Sequence, residues 1–307
     1  MTGTSTARVP VIGMVGVGRL GRSIAERLIN TCPLVLHDIS DEAVAPFRGR
    51  AQIAGNLGSL AAQVDIIIAC LPSARACHGA VSSAVWPVGA RARIFVNLGS
   101  AEAALADEMA AILGRHDIAM FAAPVSGNAV QAASGELTIL ASGPGTVFDE
   151  VKPVLCRFAR EIFYLGESVA LAQAAKLINN FLSLSNLAFA SEAAVLGAKA
   201  GIDPQLMLDV FNAGLGQSSA TKTRLAEYIL PGRFQYGRSL DLVLADLRAF
   251  QEQSSRAGIV ASPLGDAVAG VYRRAAEALS PKADVSEVIR PMEQDAGTLV
   301  RWRSVAS

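Results

Sequence analysis

Two groups of residues in this 307-residue chain have types and spacings suited to chemistry. The first is Gly16-Val17-Gly18-Arg19-Leu20-Gly21, which follows an apolar run at residues 9–15. It leads into a helical pattern at residues 20–29, with Ile24, Leu28 and Ile29 on one face. A second short apolar run, residues 34–36, ends at His37-Asp38, so an acid falls about twenty residues after the central glycine. Alone, GxGxxG is a common turn; between a strand and a helix, with a following acid, it is a dinucleotide signature. The first glycine permits the tight turn and the second lets backbone approach a pyrophosphate. The third lets helix and strand pack closely. The helix start adds free N–H groups and positive potential for phosphate. Asp38 would accept hydrogen bonds from the adenosine ribose hydroxyls and repel a 2′-phosphate, favouring NAD over NADP. No arginine directly follows it, although the same carboxylate could instead cap the next helix. The second group is Lys176 with Asn180, four residues apart and therefore on one face of a helix.

The element that must carry Lys176 is the stretch 167–200, which has no proline and one interior glycine, Gly197. Alanine and leucine, both strong helix formers, dominate it. As one helix it is roughly 50 Å long. Its many small residues let other backbones approach on all sides. It reads as a buried helix joining two domains, in which a lysine must snorkel, find a partner or line a cleft. Before it, strands and helices alternate: 65–71, 93–96, 118–122, 137–141 and 162–165 read as strands, with helices at 101–113 and 147–158. Strand ends carry Leu71-Pro72, Ser100 and Ser126-Gly127-Asn128. After it, residues 204–212, 218–228, 240–257, 263–278 and 286–300 are all helical in period, with Asp203-Pro204 as a helix start and 213–219 as a loop. The fold class is α/β: a Rossmann-type doubly wound N-terminal domain (1–166), the interdomain helix (167–200) and an all-α C-terminal domain (201–307).

Composition narrows the function. Hydrophobic residues make up 51% and charged residues 18%, which implies a large core and surface buried between subunits. Lysine plus arginine balance aspartate plus glutamate at 27 each, so nothing favours nucleic acid or an anionic membrane. No apolar run reads as a membrane span, and the N-terminus lacks the apolar core of a signal peptide. Cys32, Cys70, Cys77 and Cys156 read as buried thiols in a reducing cytoplasm. His37, His78 and His116 are scattered, against a protein-held metal.

The chain resembles the β-hydroxyacid dehydrogenase family, whose members include 3-hydroxyisobutyrate dehydrogenase and tartronate semialdehyde reductase. The matching stretches are VIGMVGVGRLG, CLPS, APVSGN, ASGELTILASG, KLINN, SATKTRLAEYILPGRF and LDLVLADLRAF, in the family's order. The resemblance implies that Gly16, Gly18 and Gly21 carry NAD, with backbone N–H groups from Val17, Arg19 and Leu20. It implies that Leu71 and Pro72 flank the nicotinamide half and that Ser100 lies near cofactor and substrate. Ser126 and Gly127 would bind the substrate carboxylate, Lys176 would be the general acid/base, and Asn180 would orient the substrate. Hydride transfer makes or consumes an alkoxide-like oxygen, whose proton a lysine can exchange once its usual pKa of about 10.4 is lowered by desolvation and a nearby nicotinamide cation.

Three features depart from the family pattern: Asn128 replaces a second glycine, Gly99-Ser100 stands where Ser-Thr is common, and Ala245 replaces a lysine before Asp246. Asn128 is expected to intrude on the substrate pocket or add a hydrogen bond to it. The lost lysine is expected to weaken binding or signal a different substrate charge. The resulting expectation is a homodimeric or homotetrameric, NAD-dependent oxidoreductase of a small β-hydroxy acid or its semialdehyde. Its rivals are an imine reductase, against which Lys176 argues, and a nucleotide-binding regulatory module that has lost catalysis.

Overall fold

A computed structural model describes residues 8–100, 103–259 and 262–302. The chain divides into two compact units, Met1–Lys176 and Leu177–Ser307. In the first, β1 (Ile12–Val15), β2 (Leu34–His37), β3 (Gln52–Ile53), β4 (Ile66–Ala69), β5 (Ile94–Asn97) and β6 (Ala119–Ala122) form a six-stranded sheet in the order β3-β2-β1-β4-β5-β6. Every pairing in it is parallel. Both faces are covered, which is why β4 reads Ile-Ile-Ile-Ala without alternation. Ile66 and Ile68 join one apolar cluster with Ile12, Ile94 and Val96, while Ile67 joins another with Val15 and Phe95. The chain leaves β1 for β2 on one side and later returns to β4 on the other. The carboxyl ends of β1 and β4 therefore flank a switch point, where such sheets bind ligands.

The sequence suggests one doubly wound sheet through to residue 165. Instead, β7 (Val125–Ser126), β8 (Leu137–Ala141) and β9 (Ala159–Tyr164) form a separate three-stranded sheet. In it β7 is antiparallel to β8, so the main sheet ends at β6.

Asp65, just before β4, accepts hydrogen bonds from the Val11 N–H at 2.7 Å and from Arg91 Nε and Nη2 at 2.8 and 2.7 Å. The Arg91 hydrogen bonds hold its carboxyl below the usual carboxylate range. A depressed folded pKa gives stability that is present above the unfolded value and lost as pH falls through the folded one. Asp65→Asn is expected to lower unfolding stability by about 1 kcal/mol at neutral pH, because solvent screens a partly exposed pair and keeps its weight small. The difference from wild type should shrink below about pH 4. Urea unfolding across that range checks both statements.

The long helix, Val169–Lys199, begins in the first unit and continues into the second. By length and composition it does qualify as a candidate membrane span, contrary to the sequence reading, but half of its most apolar stretch is buried in protein. In the second unit Leu184, Leu187, Ala188, Ala194 and Val195 join the core around Tyr272, whose hydroxyl donates to the Leu184 carbonyl at 2.9 Å. The remaining helices include Pro204–Ala213, Leu240–Arg256 and Pro263–Ala278, close to the expected bounds. Asp203 caps the first of these by accepting from the N–H groups of Gln205 and Leu206. Two segments depart from α-helical geometry: Ala220–Ile229 is a π-helix, and the stretch expected as one helix over 286–300 is a 3-10 helix, Val285–Ile289, followed by a short α-helix, Arg290–Ala296. Of the cysteines, Cys77 is buried and burial pushes its thiol up to about 12, whereas Cys156 is exposed, against expectation.

Candidate active site

The glycine turn sits between the ends of β1 and β4, and each glycine answers a different constraint. Gly16 has φ +87°, and a Cβ there would lie 2.3 Å from the Cys70 carbonyl oxygen. At Gly21 a Cβ would lie 2.1 Å from the Gly16 oxygen, so the helix Arg19–Leu28 can pack against the turn only without one. Gly18 differs, because a Cβ there would meet no protein atom within 4 Å. Its demand comes from outside the chain, as backbone approaching a phosphate requires. Gly18 caps the helix without a side-chain acceptor, leaving the first-turn N–H groups of Arg19, Leu20 and Gly21 without intrahelical partners.

Asp38, at the end of β2, uses Oδ2 to accept the Val17 N–H at 2.6 Å and Oδ1 to accept the Ser40 N–H at 2.9 Å. It braces the glycine turn, and the N-cap of the following helix is Ser40. The Val17 N–H, expected to serve the dinucleotide, is thereby committed to Asp38. Val17 itself is buried and stands apart from the cavity.

That cavity measures about 950 Å³. It is lined by Gly16, Gly18, Arg19, Leu20, Gly21, Asp38, Leu71 and Pro72, so eight of the ten proposed cofactor residues meet on one surface, Val17 and Ser100 being the two that do not. Part of its lining is apolar and was not anticipated: Ile39, Leu57, Ala80, Ala84 and Val85. Leu57 is placed there by a short helix, Leu57–Ala61, started by a capping box in which Asn56 and Ser59 exchange side-chain and backbone hydrogen bonds. The Asn-x-x-Ser pattern in the sequence is the signal that could have marked that helix start. A glycine turn suited to phosphate, an acid bonded to it and apolar side chains lining one cavity fit a dinucleotide.

The loop after β5 ties the other proposed residues together. Asn97, buried, accepts the Gly99 N–H at 2.9 Å through Oδ1 and so sets the loop's course. The Leu98 carbonyl accepts from Val125 N–H at 3.3 Å, which fixes β7 and Ser126 beside it. The Gly99 carbonyl accepts from Gln173 Nε2 at 3.3 Å. Gln173 precedes Lys176 by three residues, on the same side of the long helix. Ser142 Oγ donates to the Val169 carbonyl at 3.1 Å and accepts the Ala172 N–H at 3.0 Å, pinning that helix's first turn. Lys176 is half-buried, and Ser100 is exposed at the end of the loop.

Gly127 has φ +136°, and a Cβ would lie 2.6 Å from the Leu137 side chain. Asn128 serves its own backbone. Its Oδ1 accepts the N–H groups of Val130 and Gln131 at 3.0 and 3.1 Å, and Gln131 Oε1 accepts the Asn128 N–H. This capping box starts the helix Ala129–Ser134, so the oxygen expected to reach substrate is spent on the helix start. In the second unit Asn180 is buried and donates through Nδ2 to Asp246 Oδ2 at 2.7 Å, a partnership the sequence did not reveal.

Two family models cover most of the chain. The NAD binding domain of 6-phosphogluconate dehydrogenase matches residues 11–166, and the NAD-binding domain of NADP-dependent 3-hydroxyisobutyrate dehydrogenase matches residues 170–292. Among similar proteins, a 2-(hydroxymethyl)glutarate dehydrogenase of Eubacterium barkeri is 29% identical over 94% of this chain and 97% of its own length. An L-threonate dehydrogenase of Cupriavidus necator is 27% identical over 91% of this chain and 95% of its own. A solved 3-hydroxyisobutyrate dehydrogenase from Salmonella typhimurium superposes with a TM-score of 0.80 at 26% identity, covering 92% of this chain and 99% of that one. With a dinucleotide cradle built into its first unit and family matches running from residue 11 to residue 292, the chain belongs to the β-hydroxyacid dehydrogenase family of NAD(P)-dependent oxidoreductases.

Proposed function

We propose that this enzyme interconverts a small β-hydroxy acid and its semialdehyde, with NAD preferred over NADP. The observation that carries the reading is the loop Leu98–Ser100, which joins the Ser126 strand and the Lys176 helix at the carboxyl edge of the sheet that bears the glycine turn. When bound, the nicotinamide accepts or supplies the hydride. The chain's own residues do the rest. Ser126 Oγ and the Gly127 N–H bind the substrate carboxylate. The Lys176 ammonium group gives a proton to the carbinol oxygen during reduction, and the amine takes it back during oxidation. Asn180 has its amide orientation set by Asp246, because only Nδ2 can donate to a carboxylate. Its Oδ1 is then an acceptor for a substrate hydroxyl.

The NAD preference rests on Asp38, whose carboxylate lines the cavity and disfavours a 2′-phosphate. The four free thiols fit a reducing cytoplasm. The long helix supports a homodimer or homotetramer, since Ile178, Leu182, Phe189 and Leu196 are each more than half exposed. Sedimentation at micromolar concentration should show the oligomer, and a monomer there would contradict it. A panel of 3-hydroxy acids with NAD and NADP, followed by the near-ultraviolet absorbance of the reduced nicotinamide, tests the activity. Turnover is expected on at least one β-hydroxy acid and faster with NAD. Binding of NADH with no turnover on any hydroxy acid, semialdehyde or imine would favour the regulatory module.

A further inference from the structure

The cavity at the glycine turn is lined by one carboxylate, Asp38, and one guanidinium, Arg19. The carboxylate is engaged with the chain itself, its oxygens accepting the N–H groups of Val17 and Ser40. The turn therefore has one backbone donor fewer than its residues promise, and a negative charge is bonded into it. A pyrophosphate entering the turn brings more negative charge. The unpartnered N–H groups of Arg19, Leu20 and Gly21 and the positive end of the helix oppose that repulsion, but a helix end exposed to solvent contributes little.

Arg19 is the first residue of the helix Arg19–Leu28, and it is exposed. Among the described residues its guanidinium makes no ion pair and donates no hydrogen bond. A cation at this position works against the helix, whose first turn favours acids and here holds none. Arg22, three residues on, adds a like charge on the same side. Arg22 has relief of its own in Glu26, four residues further along. The hydrogen bond from Arg50, with the charges of Arg50 and Arg22, holds the Glu26 carboxyl below its usual range. At the same spacing from Arg19 stands Ser23, whose hydroxyl donates to the Arg19 carbonyl at 3.4 Å and offers the guanidinium nothing. The free protein thus gains nothing from the Arg19 charge, which it nevertheless sets on the cavity lining beside three open N–H donors.

We propose that the side chain of Arg19, and not its backbone alone, binds the cofactor: its guanidinium takes the pyrophosphate of the bound dinucleotide, alongside the backbone donors of the turn. A guanidinium presents a planar fork of N–H donors that suits phosphate oxygens. It supplies the positive charge that Asp38 offsets and replaces the donor that Val17 has given to Asp38. The inference needs the dinucleotide cavity of the first unit and no substrate assignment.

The test is a binding experiment on wild type, Arg19→Gln and Arg19→Lys. NADH and NADPH are titrated by fluorescence, and ADP and adenosine are measured as competitors of NADH. Arg19→Gln should weaken NADH and ADP by about tenfold each, the weight of one exposed charge-assisted contact. Adenosine, which has no diphosphate, should change by less than about twofold. Arg19→Lys keeps the charge without the fork and should lose about threefold on NADH and ADP. The salt dependence of NADH binding should be shallower in Arg19→Gln than in wild type. Melting of the cofactor-free protein gives a second reading. Arg19→Gln should melt about 1–2 °C higher, because it removes a cation from the positive end of a helix. NADH affinity unchanged in Arg19→Gln would overturn the proposal, and so would adenosine losing as much as ADP, the mark of a distorted cavity. A loss on NADPH well beyond the loss on NADH would overturn it too, by placing the guanidinium at the 2′-phosphate. Each of these results leaves the wild type's own NADH binding, and so the dinucleotide assignment, standing.

Discussion

Replacing Lys176 by alanine lowers kcat by about 10²–10⁴-fold, the usual weight of a positioned acid–base group, and leaves NADH affinity within a few-fold of wild type. The separation follows from the architecture. The residues lining the dinucleotide cavity lie between positions 15 and 85, and Lys176 is not among them. Lys176→Arg should fail as well, because a guanidinium stays protonated and can neither give a proton to the carbinol oxygen nor take one from it. The variant to watch is one step removed. Gln173→Leu keeps the amine but breaks the hydrogen bond from Gln173 Nε2 to the Gly99 carbonyl that ties the Lys176 helix to the loop after β5. It too should lower kcat while sparing NADH affinity. Stopped-flow turnover alongside NADH fluorescence titration separates loss of chemistry from loss of cofactor.

Gly18→Val should fold normally and bind NADH about a hundredfold more weakly, a loss of about 2.7 kcal/mol. The reason is empty space: beyond its chain neighbours no protein atom lies within 4 Å of the new Cβ, and Gly18 has an extended backbone, φ −64° and ψ −169°, open to a side chain. Only a molecule from outside can object to it. Gly16→Val is the contrast. There the Cβ would sit 2.3 Å from the Cys70 oxygen at a positive φ, so this variant loses stability as well as affinity. If Gly18→Val bound NADH as wild type does, the turn would not be the pyrophosphate cradle.

These two predictions draw on the part of the molecule that is most legible in the sequence. The GxGxxG turn and the individual strands of the main sheet are local features, each decided by residues within a few positions of one another, and Asp38 is marked by its position at the end of the second strand. Asn128 is legible too, but as a capping residue: the Asn-x-x-Gln spacing is a helix-start signature, and a substrate role follows only from comparing its position with the family's glycine. The small sheet is not legible. The apolar run at 137–141 has the same composition whether it pairs with β6 or with β9, and partner choice is a long-range matter. Nor does periodicity separate a π-helix from an α-helix over ten residues at Ala220–Ile229. The link from Asn180 to Asp246 spans 66 positions, again a long-range matter.

The most direct measurement follows the hydrogen itself. NADH carrying deuterium at nicotinamide C4, mixed with a β-semialdehyde acid that the enzyme turns over, should yield a hydroxy acid labelled at the carbinol carbon with wild type and almost none with Lys176→Ala over the same interval. Label transferred equally by the two proteins, or no label transferred by wild type with NADH bound, would contradict the account.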